Sequence, residues 1–276
     1  NYLMPFIGDI KKRIKTLFAP DVVIAHMPSG IIFANKLGIK FSAAVHISDL
    51  EVLTNPIYRY YFKPELEDAY KNAEKIACRS YAIKNKFLAL YPQYENKVFV
   101  APSGVDEKLV YIRKWEEKDK IRVLTCGQFI KRKNIDKVIK ACEAIDNIEL
   151  SIIGSGKLEK EYKKLATKAF FMGQLPHYQV IEKMRNSDIF VLPSVNETFG
   201  MVYLEAMASG CITICSKNDG IDGIIADGVN GYLTDEDREL VLIGREYGFN
   251  DYMASFVEGY EDLSEIFNLN KIILIH

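Results

Sequence analysis

The chain has no apolar run approaching the roughly 18 residues a membrane-spanning helix needs, and no secretory leader pattern at its start. A cytoplasmic protein is therefore expected. Cysteine is sparse: five in 276 residues, an odd number scattered along the chain, which makes a poor disulfide framework and fits a reducing compartment. Cys211 and Cys215 bracket Ile212-Thr213-Ile214, and strand geometry would separate them by roughly 13 Å, too far to share a metal or a bond. The four histidines, His26, His46, His177 and His276, lack HExxH or similar ligand spacing, so no protein-built metal site is expected. Charge of one sign is also missing. The 36 Lys and Arg against 37 Asp and Glu give a formal net charge of -1, which argues against a dedicated nucleic-acid partner. No internal repeat or low-complexity tract is present.

What the chain does contain is a regular alternation. Its length suggests about two domains, and 49% hydrophobic content allows sizeable cores. Val- and Ile-rich runs alternate with longer amphipathic stretches, the pattern of a parallel sheet with crossover helices, so the fold class is α/β. The front strands are predicted at Val22 to Ala25, Phe41 to Val45, Lys75 to Cys78 and Val98 to Ala101. The rear strands are predicted at Arg122 to Cys126, Glu149 to Ile153, Ala169 to Met172, Asp188 to Leu192 and Cys211 to Cys215. Pro102 to Lys120, with Pro, Gly and a charge run, reads as a hinge between domains at 1–105 and 106–276. The tail from Asp237 to Tyr247 and from Asp251 to Phe267 shows only loose helical periodicity, and Ile272 to Ile275 reads as an apolar end without a partner.

Two phosphate-loop look-alikes fail. Gly154-Ser155-Gly156-Lys157 lacks the Walker A spacing, because Ser151 and Leu158 fill its decisive places, and Glu159 breaks a GxGxxG reading. The acidic triplet Asp235-Glu236-Asp237 reads as a solvated helix start rather than a metal site.

The most informative segment is Asn196-Glu197-Thr198-Phe199-Gly200 through Glu205-Ala206-Met207-Ala208-Ser209-Gly210, which follows a buried strand ending at Pro193. Thr198 reads as an N-cap, leaving the amides of Phe199, Gly200, Met201 and Val202 as first-turn donors suited to an anion. Two carboxylates, Glu197 just outside the helix and Glu205 about two turns inside it, are poor phosphate ligands but good partners for sugar hydroxyls. A plain packing helix with solvated glutamates is the bland alternative.

This segment resembles the Glu-x7-Glu signature of retaining, GT-B-fold glycosyltransferases of family 4, also called glycosyl transferases group 1. Other pieces repeat the likeness in the family's order: Asp21 to His26, His46-Ile47-Ser48-Asp49-Leu50, Ala101 to Asp106, Gly127 to Asp136, Ile153 to Gly156, and Asp227 to Gly231. Together they span roughly residues 20 to 235.

The resemblance implies two Rossmann-like domains facing across a cleft, with the amino-terminal, acceptor-side domain incomplete, because the family's opening strands and glycine-rich first loop have no counterpart here. It further implies a metal-independent enzyme, without cofactor, that moves a hexosyl sugar from a nucleotide-diphosphate sugar to a glycan or lipid-linked acceptor with retention of configuration. His46 and Glu197 fall on its catalytic positions, Glu197 positioning the sugar rather than acting as a covalent nucleophile. Gln128, Lys133, Leu175, Phe199, Gly200, Met201, Val202 and Glu205 fall on its nucleotide-sugar-binding positions. Lys133 matches the lysine that neutralises the diphosphate. Asn134 stands in the usual Gly place, where it tolerates left-handed geometry, and Gln128 replaces the usual Arg, so that either Arg132 compensates or phosphate binding weakens. His26 is the weaker histidine candidate, and Leu175 could equally be core.

Two stretches hint at a peripheral contact with the inner face of an anionic membrane. Ile10, Ile14, Leu17 and Phe18 form an apolar stripe beside Lys11, Lys12, Arg13 and Lys15, and Ile57-Tyr58-Arg59-Tyr60-Tyr61-Phe62-Lys63 interleaves aromatics with cations. A crossover helix packed on the sheet and a loop covering its edge account for them better. Three other functions remain open at this point: a catalytically silent nucleotide-sugar binder, an epimerase or phosphorylase of similar architecture, and a non-catalytic interaction module.

Overall fold

The computed structural model describes residues 7–14, 20–113, 119–234 and 272–275. The chain divides into two compact units whose boundary in sequence lies between Pro102 and Ser103. The first unit contains α1 (Ile7–Arg13), β1 (Val22–His26), α2 (Met27–Leu37), β2 (Ser42–Val45), α3 (Ile47–Thr54), α4 (Pro56–Asn72), β3 (Ile76–Cys78), α5 (Tyr81–Leu90) and β4 (Val98–Val100). The second contains β5 (Ile121–Cys126), α6 (Ile135–Glu143), β6 (Ile148–Ile153), α7 (Glu159–Leu165), β7 (Phe170–Gly173), α8 (His177–Arg185), β8 (Ile189–Leu192), α9 (Met201–Ala208), β9 (Ile212–Ser216) and β10 (Tyr232–Thr234). A last strand, β11 (Ile272–Ile275), belongs to the first sheet. Every strand predicted from the sequence is present to within one residue at either end.

Both sheets are parallel among the described residues, and each helix between consecutive strands is a crossover of the kind parallel pairing requires. The all-apolar run of β8 is buried at every position, as befits a strand covered on both faces. Helix α6 shows the complementary pattern: Ile135, Val138, Ile139 and Cys142 are buried at three- and four-residue spacing, while Lys137 and Lys140 face solvent. The first core is centred on Leu66, Tyr70, Ile76, Ile83 and Phe87, the second on Leu124, Phe129, Tyr162, Phe190 and Tyr203.

The strand order of the second sheet, β10-β9-β8-β5-β6-β7, positions everything that follows. The chain leaves β5 toward β6 and β7 but leaves β8 toward β9 and β10, so the loops after β5 and β8 part in opposite directions. Ligands of open α/β sheets bind in the crevice outside the carboxyl ends of strands at such a switch point.

Three features depart from the sequence reading. Ile272 to Ile275 is not a partnerless end: it pairs in parallel with β1, from Val22 opposite Ile272 to Ala25 opposite Ile275, and so sits in the first unit and not in a second domain running to 276. Strand β10, only three residues long, extends the second sheet beyond β9 and went unforeseen.

The third concerns the segment read as a hinge, much of which is fastened to the second unit. Val105 and Leu109 pack on its core. Tyr111 N–H donates to Ala208 O at 2.7 Å, and the Arg113 guanidinium donates to Asp188 Oδ1 at 2.9 Å and to Arg185 O at 2.6 Å. The stripe residues Leu17 and Phe18, the acidic triplet at 235–237 and the loosely periodic tail stretches 237–247 and 251–267 lie outside the described residues.

Candidate active site at the β5 and β8 carboxyl ends

The loop after β5 is held by close backbone packing. A Cβ on Gly154 would lie 1.9 Å from Gly127 O, and one on Gly156 would lie 2.7 Å from Phe129 O, so only glycine lets the β6 loop support the β5 loop here. The basic turn Lys131–Lys133 ends on Asn134, which adopts the left-handed conformation at φ 49 and donates from Nδ2 to Pro193 O at 2.7 Å. Asn134 thus supplies both the geometry expected of the usual glycine and a clip to the end of β8. Val195 N–H donates to Arg132 O at 2.8 Å and completes the lacing of the two loops.

Glu197 is the meeting point of this lacing. Its Oε2 accepts from Arg132 Nη1 at 3.1 Å and, in a very short contact, from Lys133 Nζ. Burial raises the carboxyl pKa, but Lys133 and Arg132 outweigh it and hold the group below the ordinary carboxylate value. The backbone is fixed as well: Glu197 N–H donates to the buried Asp219 carboxylate, 3.0 Å from Oδ1. Gly220 N–H donates to the same oxygen at 2.9 Å, and a Cβ on Gly220 would lie 2.7 Å from Phe199 O. Arg132, Lys133 and Glu197 were all noted in the sequence. Asp219 was not, because nothing in Asn218-Asp219-Gly220 announces which loop it supports.

The helix start differs from expectation. The N-cap of α9 is Gly200, at φ 87 and ψ 71, and not Thr198, so the helix begins at Met201. The reason is steric: a Cβ on Gly200 would lie 2.4 Å from the Tyr203 ring, and only glycine takes this left-handed corner without strain. Phe199, whose side chain is in the core, and Gly200 therefore lie in the approach to the helix, while the amides of Met201 and Val202 open it. Tyr203 anchors the turn from below, its buried hydroxyl 2.6 Å from Ser194 Oγ and donating to Leu192 O at 2.8 Å.

Glu205, half-buried on α9, pairs with His177 at the start of α8, with His177 Nε2 3.0 Å from Glu205 Oε1. Burial pushes the Cys126 thiol up to about 11; the Glu205 carboxylate adds to the rise and Lys133 opposes it, so both charges act at the end of β5. Leu175 is half-buried and packs on the core, and Gln128 is exposed. No sequence signal pointed to His177, because only the path of the β7 to β8 crossover brings the start of α8 to the side of α9.

In the first unit, His46 follows β2 directly and is the N-cap of α3. Its backbone N–H donates to Asp49 Oδ2 at 2.9 Å, and Asp49 N–H donates back to His46 O at 3.1 Å. Its Nε2 lies 3.1 Å from His26 Nδ1, so the two strand-end histidines are neighbours. Asp49 is fully buried, accepts from Tyr70 OH at 2.9 Å, and is pushed by burial from 3.8 up to about 7.

Comparison with known proteins agrees with this architecture. Residues 1–109 match the family model described as Glycosyltransferase Family 4, and residues 107–242 match Glycosyl transferases group 1. An uncharacterised glycosyltransferase of Methanocaldococcus jannaschii is 33% identical over 272 residues, covering 92% of this chain and 73% of that protein. Among solved structures, sucrose-phosphate synthase from Thermosynechococcus elongatus superposes with a TM-score of 0.67 at 19% identity, over 94% of this chain and 69% of that one. Anabaena HepE in complex with UDP gives 0.66 at 15% identity, over 92% and 73% respectively. These two likenesses show the fold, two Rossmann-like domains of the GT-B type, and the sequence relationship shows the family: the chain belongs to the group 1 glycosyltransferases.

Proposed function

We propose that the chain is a retaining glycosyltransferase of family 4 that takes a hexosyl unit from a nucleotide-diphosphate sugar bound at the β5/β8 switch point. The observation that carries this reading is the convergence of Lys133, Arg132 and Glu197 beside the Gly200 corner and the start of α9. An ammonium has three N–H donors, so Lys133 can hold Glu197 and a phosphoryl oxygen together. One cation would then tie the leaving diphosphate to the carboxylate that orients the hexose. The amides of Met201 and Val202 face the same negative charge, and Glu205 takes ribose hydroxyls.

Departure of the nucleotide is the costly event, and preorganised donors of this kind are each worth about 10²- to 10³-fold in rate. Because protein cations and amides meet the growing charge, the reaction is assigned no metal and no cofactor. His46 keeps the catalytic role its resemblance implies.

The acceptor is taken to be a glycan or a lipid-linked acceptor. A lipid-linked acceptor at the inner face of a membrane is supported by the first half of α4, where Ile57, Tyr60 and Tyr61 are 68%, 77% and 66% exposed beside Arg59. No helix among the described residues is long and apolar enough to cross a membrane.

Thermal unfolding with UDP, GDP and ADP, chelator present throughout, tests the donor reading. One nucleotide at about 100 times its Kd should add roughly 2.7 kcal/mol of stability, and Lys133→Ala should weaken it by at least about tenfold through loss of charge-assisted bonds. Failure of all three nucleotides to shift the transition would refute it.

A further inference from the structure

We propose that His177 is a specificity-determining residue for the donor, fixing the Glu205 carboxylate so that it reads the vicinal diol of ribose. This rests on the nucleotide-sugar reading above and deepens it. His177 is the first residue of α8, and its side chain is 65% exposed, whereas Val180, Ile181 and Met184 carry the buried face of that helix. The imidazole is therefore not a packing residue. Its one described polar contact is Glu205 Oε1, at 3.0 Å, and the Glu205 side chain is only 18% exposed.

A carboxylate only accepts, so Nε2 of His177 is the donor. The terminal torsion of a glutamate is broad and roughly two-fold, leaving a lone carboxylate free to turn. Holding Oε1 removes that freedom and occupies one of about four lone-pair sites. The oxygens left in a set plane match two adjacent hydroxyl donors, which ribose offers at C2′ and C3′ and a deoxyribose does not. A site built to receive a hydroxyl penalises the analogue that lacks it, because its own polar group is left unpaired. Glu205 lies on α9, the helix that leaves the carboxyl end of β8 beside β5, where the sheet order switches.

The test uses the whole chain with wild-type sequence, His177→Ala and His177→Gln, titrated calorimetrically with UDP, GDP and ADP and with their 2′-deoxy counterparts. Wild type should prefer one ribonucleotide over its deoxy form by about tenfold or more. His177→Ala should weaken the ribonucleotide about three- to tenfold and the deoxy form less than twofold, so that the preference shrinks. His177→Gln, whose amide N–H can replace the imidazole donor, should retain most of it. Melting temperatures should stay level, since the side chain supports no core. An undiminished preference in His177→Ala, or equal weakening of both forms, overturns the proposal while the nucleotide reading stands. A wild type that binds no nucleoside diphosphate removes that reading and this assignment together.

Discussion

Glu197 sits between two cations, and its replacement separates binding from turnover. Glu197→Gln keeps the shape but frees Lys133 and Arg132 for phosphate, so nucleoside diphosphate should bind at least as tightly as before. Sugar transfer should nevertheless fall about 10²- to 10³-fold through loss of an oriented partner at the reacting centre. Parallel calorimetry and product assays check this, and unchanged turnover would remove Glu197 from the reaction. Lys133, Glu197 and Glu205 could be singled out in the sequence because each lies on a recognisable strand, loop and helix unit, Lys133 after β5 and the two glutamates after β8. Asp219 and His177 were not, since each acts on a residue more than twenty positions away, and local pattern carries no sign of such partners.

At the scale of elements, the Gly200 corner fixes how α9 leaves β8. Gly200→Ala should destabilise the chain by about 1–3 kcal/mol, because alanine must either hold a left-handed backbone or push the Tyr203 ring aside. Tyr203→Phe should cost a smaller amount, about 1 kcal/mol, for the hydroxyl that ties the helix to Ser194 and Leu192. Urea unfolding measures both, and a Gly200→Ala variant as stable as wild type would contradict the steric account. The sequence led to Thr198 as the cap by residue preference alone. What overrode that preference was the Tyr203 ring beneath the turn, a contact visible only once the helix is packed. The strands were easier to read, because buried parallel strands declare themselves as apolar runs. The exceptions, β10 and β11, are too short or too isolated in sequence to show which neighbour they join.

For the molecule as a whole, stability should depend on pH through Asp49. Its carboxyl rises from 3.8 to about 7 on folding, mainly from burial, so the folded state holds a proton that the unfolded chain releases. The stabilisation is complete below about pH 4, declines as pH rises, and is lost above about pH 7. Asp49→Asn retains an acceptor for Tyr70 OH but cannot titrate. The stability difference between wild type and this variant should therefore shift by a few kcal/mol against wild type between pH 4 and 7. A flat difference across that window would rule out a neutral Asp49.

The two halves of the proposed donor site, Lys133 and Glu197, stand 64 residues apart in the chain and become neighbours only when β8 docks beside β5. Contacts of such separation form late, after the cost of closing a long loop has been met. A nascent chain that has passed the basic turn but not yet α9 thus has a cationic loop and no anion cradle. Nucleotide recognition should switch on in one step with the final ordering of this sheet, which makes ligand binding a direct reporter of completed folding.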